Sequence, residues 1–130
     1  MKSTKILLVL IAWFSHVDSI GISINLENQE SNGFIRVMST CGGTVKRYVP
    51  NSGVMVNHVH DGDLFVWRSY QNNVRCKSAL VTLVDENTKI LHLEIEADRP
   101  LSLYYRKKFM WLPIRVQEYN RMIPVDDPER

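Results

Sequence analysis

From Gly21 onward the chain is a succession of short apolar runs broken by turn residues. Ile22, Ile24 and Leu26 alternate with Ser23 and Asn25, which puts the three apolar side chains on one face of a strand. Asn28 to Gly33 breaks the pattern, and Phe34 to Met38 forms a second run closed by Cys41-Gly42-Gly43. Val45 to Val49 leads into Pro50-Asn51-Ser52-Gly53, a composition that turns the chain. Val54, Val56 and His58-Val59-His60 then meet Asp61-Gly62, followed by Leu64-Phe65-Val66-Trp67. Asp-Gly between two β-rich runs predicts a tight hairpin, because both residues tolerate positive φ.

The second half continues in the same way. Gln71-Asn72-Asn73 is a turn, Ala79 to Val84 a strand, and Asp85-Glu86-Asn87 another turn. Ile90, His92 and Glu94 alternate with Leu91, Leu93 and Ile95, a period of two with one apolar face. Asp98-Arg99-Pro100 turns into Leu101 to Tyr105, Arg106-Lys107-Lys108 is expected at a hairpin tip, and Met110 to Ile114 closes the series. Only Val116 to Met122 has the spacing of a short helix. Turn signals every 8–12 residues predict an all-β domain, a small antiparallel sandwich or partly open barrel with at most one short C-terminal helix. No repeat, linker or low-complexity tract interrupts it.

The first residues read differently. Lys2 and Lys5 precede the apolar run Ile6 to Phe14, which is far too short for the roughly 30 Å core of a bilayer. A basic start, a short apolar stretch and small polar residues define a secretory signal peptide. Val17-Asp18-Ser19 supplies the small residues of a cleavage site, so residues 1–19 are expected to be removed after Ser19. Residues 20–123 then form one domain and residues 124–130 a polar tail, without stable membrane insertion. The product is expected to be secreted.

Composition narrows the function. Of 130 residues, 45% are apolar and 23% charged, the balance of an ordinary folded protein. A formal net charge of +2, falling to +1 once Lys2, Lys5 and Asp18 leave, is too small for a protein that wraps nucleic acid. No Asn-x-Ser/Thr sequon exists, since Asn51 precedes Ser52-Gly53 and Asn87 precedes Thr88-Lys89. Cys41 and Cys76 both lie in the mature part. An even count in an oxidising compartment predicts one disulfide between them, against the alternative of two thiols with one pairing to a partner chain.

Candidate chemistry is sparse. His58 and His60 share a strand face and could offer two zinc ligands, but a structural site needs four and no second clustered pair exists. Glu94 and Glu96 share a face that a half-buried strand ordinarily leaves to solvent. Neither a nucleophile elbow nor a phosphate-cradling glycine loop is present, so no catalytic, metal or cofactor residues are assigned. Tyr104, Tyr105, Arg106, Lys107 and Lys108 combine aromatic and basic groups and form the candidate binding surface, with a solvated hairpin tip as the plainer reading. Trp67 and Trp111 sit in apolar strand patterns and are expected in the core.

The order of elements resembles a FAINT-type domain, the module frequently associated in Theileria proteins, in its short form with a signal peptide. The likeness begins at Gly21-Ile22-Ser23-Ile24-Asn25-Leu26 and continues in Tyr48-Val49-Pro50-Asn51-Ser52-Gly53. It is strongest over Val59 to Trp67, with its Asp-Gly turn and tryptophan, and extends through Cys76 and Tyr104 to Lys108 as far as Trp111. His58 and His60 depart from the pattern, and Phe109-Met110 replaces the glycine expected before the last tryptophan. The resemblance implies a secreted or exported parasite protein without known catalytic residues. The expectation is therefore a non-enzymatic module that binds a host component. A self-associating surface-coat component is the alternative, and a secreted hydrolase a distant third.

Overall fold

A computed structural model describes residues 22–124; the expected leader and most of the polar tail lie outside the described residues. Nine strands and one helix follow in chain order: β1 (Ile22–Asn25), β2 (Ile35–Thr40), β3 (Val45–Pro50), β4 (Val56–Asp61), β5 (Leu64–Arg68), β6 (Arg75–Asp85), β7 (Thr88–Glu96), β8 (Leu101–Lys107), β9 (Trp111–Ile114) and α1 (Val116–Met122). All nine strands belong to one sheet, curled into a half-barrel, so the partly open barrel is realised and the two-sheet sandwich is not. The short C-terminal helix occupies the expected residues.

The eleven-residue β6 organises the sheet. One edge pairs with β7 along its length, and β8 and β9 follow. Its other edge is divided: Ala79 to Thr82 pair with β3, whereas Cys76 pairs with Val56 of β4. Two branches therefore leave one strand, which bends the sheet. The antiparallel expectation fails at one pair, because β1 runs parallel to β4. A parallel pair needs a crossover of a dozen or more residues, and the β2–β3 hairpin lies within that connection.

Strand alternation sorts the faces. Tyr48, Cys76, Ala79, Leu91, Leu93, Ile95, Tyr105 and Trp111 point into the curl and form its core, with Trp67 packed at the margin. On the outer face His92 stacks on Tyr104 with ring centroids 4.7 Å apart, and Tyr119 of α1 lies 4.8 Å from Tyr104. The helix thus covers aromatic surface of β7 and β8.

The expected disulfide is not formed. Cys41 opens the β2–β3 turn, next to Thr40, whose partner Val45 pairs with Thr82 of β6. Cys76 is six residues farther along β6, roughly 20 Å away at about 3.3 Å per residue, whereas bridging needs Cα atoms within about 7 Å. Cys76 is instead 1% exposed and its thiol donates to the Ser78 carbonyl.

Candidate functional site

The open end of the curl is lined by side chains that strand parity turns inward. Lys46 shares the inward face of β3 with Tyr48, Lys89 that of β7 with Leu91, and Lys107 that of β8 with Tyr105. Lys89 lies directly opposite Lys107 in the β7–β8 register. Together with Tyr48, Asp61 and the aliphatic Val81 and Leu83, they surround a cavity of about 540 Å³.

Asp61 anchors this mouth. It ends β4, is 8% exposed, and accepts two hydrogen bonds at Oδ2, from Lys107 Nζ at 2.7 Å and from Trp111 Nε1 at 3.0 Å. Burial raises the pKa of its carboxyl, but the bonds from Lys107 and Trp111 and the charges of Lys107 and Lys89 outweigh that, so Asp61 titrates below the ordinary aspartate range. Lys107 also lies 5.8 Å from the Trp111 ring centroid. Tyr48 floors the cavity at 1% exposure, its hydroxyl donating to the carbonyls of Leu26 and Asn28, each at 2.9 Å. Burial and then the Asp61 charge push its phenol up to about 12. Lys46 donates to the side-chain amide oxygen of Gln29. Burial, and secondarily the Lys89 charge, lower the Lys46 ammonium.

The Asp-Gly hairpin forms, with a refinement. Asp61 pairs with Leu64, so the two loop residues are Gly62 and Asp63, and only Gly62 takes positive φ, at 58°. Asp61 is thereby released from turn duty to face the core. Sequence reading took it for a turn residue and missed its role.

His58 and His60 do share a face, their rings stacked at 4.9 Å. The His60 ring is fully engaged: Nδ1 lies 2.9 Å from the Gly62 carbonyl and Nε2 3.2 Å from Ser23 Oγ. A carbonyl only accepts, so Nδ1 donates and, in the neutral ring, Nε2 accepts from the serine hydroxyl. Among the described residues no group of three or more His, Cys, Asp or Glu side chains comes together at metal-binding distance. Glu96 pairs with Arg75 at 2.8 Å on the outer face, and Glu94 sits opposite Ser78 and Ser102.

The aromatic-basic segment is not one surface. β8 continues through Lys107, so its residues alternate faces and the tip shifts to residues 108–110. Tyr105 is buried in the core, Tyr104 is stacked against His92, Arg106 lies 3.8 Å from Glu118, and Lys107 belongs to Asp61. Lys108 alone stands exposed, next to Phe109 at 94% and Met110 at 55% exposure.

Fold and mouth together define a small all-β half-barrel domain with a basic, partly aromatic opening. Residues 23–98 match the FAINT family model, described as a domain of unknown function, DUF529, and the chain belongs to this family. The match ends before β8, so Lys107 and Trp111 lie beyond the matched residues, whereas Lys46, Asp61 and Lys89 lie within them. No curated protein and no solved structure matches the chain.

Proposed function

We propose that the chain is a secreted, non-catalytic binding module of a Theileria-type blood parasite that acts on a host protein. The observation that carries this reading is the β8–β9 tip, where Phe109 and Met110 present apolar surface at 94% and 55% exposure beside Lys108. Protruding aromatic and methionine side chains are the residue types that anchor partner interfaces. The leader-like start supports secretion, and the strand-and-turn motifs resembling FAINT-type domains support the parasite assignment. No helix among the described residues is long and apolar enough to cross a membrane.

The test is capture from host serum and host-cell lysate by the purified protein, with the Phe109→Ser/Met110→Ser double variant alongside. A host protein retained by the parent and lost by the folded variant, then titrated as a purified pair, is the expected result. Identical retention by both, or a parent that only self-associates in light scattering, would overturn the reading. Mass spectrometry of material released by the producing cell should find Ile20 at the N-terminus; Met1 there would remove secretion.

A further inference from the structure

We infer that the mouth of the half-barrel binds a small molecule carrying a phosphate or sulfate ester, its oxyanion held between Lys46 and Lys89. This site is separate from the β8–β9 tip and does not rest on it. Three lysines from three strands line one cavity, and only one has its charge answered. Lys107 is paired with Asp61 at 2.7 Å. Lys46 reaches only the neutral amide of Gln29, and neither it nor Lys89 has a carboxylate within 4.0 Å among the described residues.

The arrangement works against the empty fold. Like charges directly opposite on adjacent strands are destabilising, and Lys89 faces Lys107 in register. The lowered Lys46 ammonium reports the same crowding, after burial. Lysines on a solvated outer face would avoid both costs. A bound oxyanion reverses the sign: each ammonium then gains a charge-assisted hydrogen bond, and their mutual repulsion is screened.

The rest of the cavity decides what accompanies the anion. Its volume of about 540 Å³ falls in the usual range for small-molecule sites and exceeds what a lone ion fills. Leu26, Val81 and Leu83 share its lining with Glu27, Gln29 and Thr44, above Tyr48, whose hydroxyl hydrogen is already committed to backbone carbonyls. The ligand class is therefore an ester larger than a lone ion, with its oxyanion toward Lys46 and Lys89.

The experiment is an amide NMR titration of the folded protein at low ionic strength with phenyl phosphate and, in parallel, phenyl sulfate. Saturable shifts at Tyr48, Val81 and Leu83 are expected, with a Kd below about 1 mM for the better ester. Lys46→Gln and Lys89→Gln should each weaken binding about tenfold. Lys77→Gln, at the opposite end of the sheet, should leave it unchanged. Tighter phenyl phosphate points to a phosphorylated ligand and tighter phenyl sulfate to a sulfated one. Unperturbed shifts elsewhere in the spectrum certify that each variant is folded. Absence of saturation up to about 10 mM with both esters overturns the proposal. So does an equal loss in Lys77→Gln, which would mean diffuse attraction to net charge.

Discussion

Replacing Asp61 with alanine removes the clasp that holds the curl together. Asp61 belongs to β4, its donors Lys107 and Trp111 to β8 and β9, and no strand ladder joins β4 to either of those strands. The two bonds at 2.7 Å and 3.0 Å therefore tie opposite flanks of the half-barrel side chain to side chain. Hydrogen bonds to a charged group contribute about 1.5–3 kcal/mol each. The cost of burying the carboxylate offsets part of that. Lys107, whose side chain is 27% exposed, can turn to water, but the indole N–H of buried Trp111 cannot. The net loss should be about 2–4 kcal/mol, out of the roughly 5–15 kcal/mol that holds such a domain together. At about 4–8 °C per kcal/mol, the melting temperature should fall by roughly 8–30 °C.

Tryptophan fluorescence in urea at several pH values is the assay. The folded state holds the Asp61 carboxyl below its ordinary range, so its contribution is present above the unfolded pKa of about 3.9 and fades as pH falls through the folded value. Parent and Asp61→Ala should therefore converge on acidification. Asp61→Asn keeps an acceptor for Trp111 without the charge and should fall between them. A gap under about 0.5 kcal/mol at neutral pH would refute the clasp. A gap of equal size in acid would refute its ionic share.

Three further outcomes follow from local geometry. Gly62→Ala should cost about 1–2 kcal/mol in urea denaturation, because φ of 58° disfavours a Cβ, whereas Gly33→Ala, with open space around it, should fall within about 0.5 kcal/mol of the parent. His92→Phe should be at least as stable as the parent at pH 7, since it removes a buried Nε2 that has no partner among the described residues and keeps the stack on Tyr104. Burial holds the His92 pKa below its ordinary value, so the parent loses stability as pH falls below about 6.5, and the variant's melting curve should shift less between pH 7 and 5. The Cys76 thiol, 1% exposed and pushed up to about 12 by burial, should resist maleimide in the native protein and react only after unfolding, as mass spectrometry of the labelled peptide will read.

Much of the fold was legible because alternation carries it. Leu91, Leu93 and Ile95 announced their face, and the turn residues after Val49 and after Val84 bracketed real strands. What was not legible depends on which strands meet. The parallel β1–β4 pair and the divided edge of β6 are tertiary facts, invisible in local periodicity. The Cys41–Cys76 expectation failed for the same reason. Even cysteine counting says nothing about how far a residue in the β2–β3 turn lies from one near the start of β6.

The site itself was half written in the sequence. Counting by twos from Tyr48, Leu91 and Tyr105 reaches Lys46, Lys89 and Lys107, each at an inward position one step beyond an apolar residue. A single such lysine is unremarkable at a strand end, where its stem covers apolar surface and its head reaches water. Three at the same end of one curl are different, because their charges then share one volume. Two carboxylates, Asp61 and Glu27, share that lining, and among the described residues only Asp61 makes an ion pair there, in a geometry that commits it to Lys107 and Trp111. The sequence could display the three lysines at inward parity but not their convergence, since β3 meets β7 only through β6. The proposed oxyanion site thus lies at the point where strand parity and sheet curvature coincide.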